Sequence, residues 1–217
     1  MMPSILLVKT ATNAWENTRA QTDLSCPASM SNQLLITEMT PDGWSWTLAT
    51  RCSDILHKLE LEYGPRDRAY TFVGVDFHGE RPHIWYPGNR QHVAIRLSMS
   101  ALDDIPRAFY QLAHECVHLL SPSVEHHASV LEEGLATLFA ETYALRAYNQ
   151  HFSPSINGYA RAASDVRELL GFHPDAISAL RRVEPAFYKM DAGTFAQAGL
   201  VRAPIELRER LLTRFID

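Results

Sequence analysis

Residues 114–118 read His-Glu-Cys-Val-His within the stretch AFYQLAHECVHLLSP, residues 108–122. Side chains four apart on an α-helix lie on one face, a turn apart, so His114 and His118 can aim both imidazoles at a single point with Glu115 beside them. Ala108, Leu112, Ala113, Val117, Leu119 and Leu120 surround the pair with apolar residues, as an interior helix requires. The chain must therefore fold around a buried helix that carries a polar patch, and must bring further polar groups to that patch. With ten His and fourteen Glu, shuffled chains contain this spacing in roughly 3 of 100 cases, so its surroundings decide its weight.

A partner for the two histidines stands fifteen residues after His118: Glu133, in Leu131-Glu132-Glu133-Gly134-Leu135-Ala136. At 100° per residue, Thr137, Ala140 and Ala144 fall within about 40° of Glu133, and Ala136 within about 60°. Small side chains on that face let two helices approach closely, as a carboxylate needs in order to reach an ion held on a neighbouring helix. Glu132 points about 100° away, toward a supporting or surface role. His114, His118 and Glu133 are thus the candidate metal ligands. Neutral imidazole suits zinc, and three protein ligands leave a fourth position for water.

Composition narrows the alternatives. The 217 residues are 46% hydrophobic and 21% charged, with a net charge of −5 and a pI near 6.0. Those values fit one globular domain or a compact pair of subdomains and exclude disorder, while the absence of a basic run argues against a nucleic-acid partner. Three cysteines, Cys26, Cys52 and Cys116, with no CxxC and no close pairing in sequence, point to nitrogen and oxygen ligands and a reducing compartment. The apolar run Ile5–Val8 is too short for a signal peptide, and no later stretch is long enough for a membrane span. The expectation is a cytoplasmic protein with no membrane partner.

Residues 1–33 read as an arm with a short strand at Ile5–Val8. A helix is expected over 41–63, started by Thr40-Pro41-Asp42 and closed by Gly64. The runs 70–76, 83–86 and 92–97, separated by HGERP and PGNRQ, predict a small antiparallel sheet. Helices follow over 105–120, 128–148, 155–170 with Gly171 as the stop, 175–183, 192–198 and 204–215. The fold class is α+β, divided as 1–33 (arm), 34–121 (helix, sheet and histidine helix) and 122–217 (helical lobe with Glu133).

The HExxH pattern followed by Glu133 in the context EEGLA resembles the gluzincin group of zinc metallopeptidases, over residues 111–141. The resemblance implies a zincin-like fold with the sheet packed on the metal helix, and zinc on His114, His118 and Glu133, with Glu132 as the alternative register. It also implies peptide-bond hydrolysis with Glu115 as general base, and a peptide or protein substrate paired along the strand His92–Leu97. An oxyanion donor is implied further along, with Tyr143, Tyr148, His151, Tyr159, His173 and Tyr188 all open. Thr137 stands where thermolysin-like members commonly place a carboxylate that holds a ligand histidine. Two other readings are an inactive zinc-bearing binding or regulatory module and a zinc hydrolase of non-peptide amides.

The remaining candidates have plainer readings. Cys116 points away from the ion side of its helix and reads as core. His126-His127 reads as a solvated loop pair, and His78, His83 and His92 match no tight chelate. Trp44, Trp46, Trp85 and Tyr86 read as packing. Arg181, Arg182, Arg208, Arg210 and Arg214 read as a solvated face paired with Glu206 and Glu209.

Overall fold

Apolar residues three and four apart set the first helix, α1 (Leu48–Tyr63), whose Cys52, Ile55, Leu56 and Leu59 are buried. It closes at Gly64, where φ is +96° and the amide donates to the Glu60 carbonyl at 3.0 Å. The computed structural model describes residues 48–88, 91–124, 127–154 and 156–216, and the backbone of 39–40 and 43–44. The expected arm, its strand at Ile5–Val8, Cys26, Trp46 and His126 lie outside these. The helix start expected at Thr40-Pro41 is corrected: Met39–Thr40 (β1) pairs antiparallel with Gly43–Trp44 (β2). Gly43 is a poor helix former, whereas Thr and Trp suit extended pairing.

The sheet comprises β3 (Thr71–Phe77), β4 (His83–Trp85) and β5 (His92–Leu97) in the order β3-β5-β4. β5 runs antiparallel to β4 but parallel to β3, so the sheet is mixed rather than antiparallel throughout. β3 and β5 both run opposite to β4 and therefore share one direction. Burial then selects the centre: Val93, Ala94, Ile95 and Leu97 make β5 the most buried strand. Both hydrogen-bonding edges of β5 are consequently occupied, and it is not an edge strand open to a peptide.

The rest of the described chain is helical: α2 (Ile105–His118), α3 (Val130–Tyr148), α4 (Asn157–Phe172), α5 (Ala176–Val183), α6 (Ala192–Gln197) and α7 (Ile205–Leu212). The class is α+β, as expected. In α2 the Asp104 side chain caps the start by accepting from the Arg107 amide at 3.0 Å, with Pro106 in the first turn. In α3, Ser129 Oγ accepts from the Glu132 amide at 3.3 Å. α4 runs through Gly171, the expected stop, and ends at His173, whose extended backbone is what a following proline imposes.

The last expected helix is shorter than the sequence suggests. It ends at Leu212, and the following segment turns back onto the start of α3. The Val130 amide donates to the Thr213 carbonyl and the Phe215 amide to the Ala128 carbonyl, each at 2.9 Å, with Arg214 opposite Ser129.

One buried cluster joins α1, β5, α2, α3 and the later helices. Within it α3 packs against α2, α4 and α7. The α3–α4 approach is set at Gly134, where an added Cβ would lie 2.3 Å from the Ala162 carbonyl oxygen and 2.7 Å from Val166 Cγ2. Backbone atoms cannot yield to such a contact, so Gly134→Ala is expected to destabilise the fold by about 1–3 kcal/mol. Urea denaturation of the two proteins measures this, with the midpoint lowered in the variant.

Candidate metal centre

α2 and α3 meet with their polar residues facing one another. His114 and His118 on α2 and Glu133 on α3 each offer one ligand atom, and these atoms lie within 4.8 Å of one another. His114 Nε2 is 3.2 Å from Glu133 Oε2, and His118 Nε2 is 3.7 Å from Glu133 Oε1. All three side chains retain 13% of their surface, enough for access from outside while the apolar core surrounds the rest. Among the described residues no other group of three or more His, Cys, Asp or Glu has this convergence.

The donor set fits a zinc ion. Bonds of about 2.0–2.2 Å in a tetrahedron place neighbouring ligand atoms about 3.3–3.6 Å apart, close to the separations of 3.2 and 3.7 Å between imidazole and carboxylate here. Two nitrogens and one carboxylate oxygen also suit zinc chemically.

Glu132 takes a supporting position. Its side chain is 3% exposed, and Oε1 lies 2.8 Å from His118 Nδ1. With Nδ1–H donated to Glu132, the Nε2 lone pair of His118 is left for the centre, an arrangement typical of metal-binding histidines. Thr137 does not share this work: its buried Oγ1 has no hydrogen-bond partner. The carboxylate that steadies a histidine thus stands beside Glu133 rather than one turn beyond it. Packing against α2 buries this neighbouring position too, which a helical wheel centred on Glu133 alone does not reveal.

Charge shapes the centre. Burial opposes protonation of His118, but Glu133 and Glu132 outweigh it and raise its pKa to about 10. Glu133 moves the opposite way: burial favours its neutral form, yet His118 and His114 hold its pKa below the ordinary value. Glu115 is 3% exposed; burial pushes its pKa up, and His114 and His118 oppose the shift. His83, on β4, also acts electrostatically on Glu115, which puts the outer strand β4 near the centre.

Arg181 departs from the solvated face expected for it. It is 4% exposed, donates to the Pro65 carbonyl at 2.6 Å, and lies over the Phe187 ring at 5.2 Å. Burial lowers its pKa to about 10, against the attraction of Glu132 and Glu60. Arg210 does lie at the surface, but pairs with Asp165 at 2.9 Å. Cys116 is fully buried, His127 is exposed, and Trp85 lies 3.6 Å beneath the Arg96 guanidinium.

Of the six oxyanion candidates, Tyr159 stands against the cluster, its ring centroid 5.8 Å from that of His114 and 4.6 Å from Phe215. Tyr148 stacks on Phe109 at 5.4 Å, Tyr143 lies beside Lys58, and His151 is exposed. Phe215 belongs to the segment that turns back onto α3, an element with no signature in local periodicity. No protein-family model, curated protein or solved structure matches this chain.

The metal-free protein is expected to show a specific pH dependence. Because the folded pKa of His118 lies above its ordinary 6.5, its contribution to stability is full below about pH 6.5. That contribution disappears as pH rises toward about 10. Denaturation of chelator-treated protein across this range should show the decline, and His118→Gln should flatten it.

Proposed function

We propose that this chain is a zinc-dependent peptidase of gluzincin type with a zincin-like fold, acting on peptide or protein substrates in the cytoplasm. The observation that carries the reading is the convergence of His114, His118 and Glu133 to ligand spacing, with Glu115 buried next to two of them on α2. No helix among the described residues is long and apolar enough to cross a membrane.

His114 and His118, through Nε2, and Glu133, through a carboxylate oxygen, would hold the ion. Zinc in such a centre supplies Lewis acidity, which polarises a carbonyl and acidifies water. The chain's own groups do the rest. Glu132 fixes the His118 ring and its tautomer. Glu115 accepts a proton from the attacking water and passes it to the leaving amine, a role favoured by burial, which raises the pKa of its carboxyl above the ordinary value. Tyr159 is the group assigned to donate a hydrogen bond to the carbonyl oxygen as it gains charge. Since β5 is paired on both edges, extended substrate is assigned instead to the outer edge of β4, the strand that carries His83.

Two substitutions separate these roles. Glu115→Gln should retain one zinc per chain and lose peptide cleavage by about a hundredfold or more. Tyr159→Phe should keep the metal and lower kcat by about a hundredfold, with a smaller effect on KM. Metal analysis alongside cleavage of a peptide library tests both. A zinc-free wild-type protein, or undiminished cleavage by Glu115→Gln, would overturn the reading.

A further inference from the structure

Cys52 and Cys116 are 64 residues apart in sequence, yet their sulfurs lie 3.4 Å apart. Both thiols are free and fully buried, Cys52 on α1 and Cys116 on the histidine-bearing α2. Neither belongs to the ligand cluster. A disulfide requires a sulfur–sulfur distance of about 2.05 Å, so the separation to be closed is about 1.4 Å.

We propose that Cys52 and Cys116 form a covalent modification site, closing into an intrachain disulfide that staples α1 to α2 when the protein meets a small disulfide oxidant such as oxidised glutathione. In the first exchange one protein sulfur bonds to a glutathione sulfur, the oxidant's own bond breaks, and one glutathione leaves as the thiol. The second protein sulfur then bonds to the first and releases the other glutathione thiol. Two electrons pass from the protein thiols to the oxidant, and the two thiol hydrogens leave on the two glutathiones. Because both sulfurs are buried, the exchange proceeds through local opening of the α1–α2 contact, and mild urea accelerates it. The closed loop is long, so the bond removes much freedom from the unfolded chain. The inference does not depend on zinc.

The test uses the full chain, incubated with oxidised glutathione in mild urea, then alkylated under denaturing conditions and digested without reduction. Mass spectrometry is expected to find a peptide pair joined through Cys52 and Cys116, released by reductant and absent from Cys52→Ala. The pair should persist in Cys26→Ala, which excludes the third cysteine as an intermediate. The oxidised wild type should melt about 5–15 °C above the reduced protein. Alkylation of both cysteines after oxidation, a stable mixed disulfide with glutathione, or linkage through Cys26 would each overturn the proposal. Zinc content measured on the same samples reports separately on the metal centre.

Discussion

Three carboxylates, Glu115, Glu132 and Glu133, face two imidazoles at the contact between α2 and α3, largely out of water. Isolated charges buried in this way cost several kcal/mol each, so the arrangement persists only where opposite charges meet at short range. Without metal, His118 supplies part of that balance, since Glu133 and Glu132 raise its pKa to about 10 and favour the charged ring. In the proposed zinc form, a divalent cation would supply it instead by displacing the proton.

Everything around this contact holds α3 at the right depth and rotation. Gly134, next to Glu133, lets the α4 backbone approach where any side chain would collide. The Ser129 cap and the returning segment through Thr213 and Phe215 anchor the first turn of α3 immediately before Glu132 and Glu133. Phe215 also supports Tyr159 against His114. The distant C-terminal segment thus reaches the centre through two routes, one by backbone hydrogen bonds and one by ring packing. On the other side, β4 brings His83 to within electrostatic reach of Glu115.

What could be read from sequence followed the range of the interactions. Spacing within α2 and small residues along α3 are local patterns, and they place His114, Glu115, His118 and Glu133 together without knowledge of the fold. The α+β class follows equally from local periodicity. Strand order does not, because β3 and β5 become neighbours only when β4 lies on the far side of β5. The burial of Arg181, the Ser129–Arg214 pairing and the meeting of Cys52 with Cys116 depend on helices brought together from distant positions. Glu132 lay between these cases: its place on the wheel was evident, but its partner His118 belongs to another helix.

Anomalous diffraction at the zinc edge from crystals of the zinc-loaded protein shows whether His114, His118 and Glu133 hold the ion. One strong peak is expected about 2.0–2.2 Å from His114 Nε2, His118 Nε2 and a carboxylate oxygen of Glu133, with Glu132 hydrogen-bonded to His118 rather than to the metal. The absence of a peak between α2 and α3, or zinc held by other residues, would contradict the proposed metal centre.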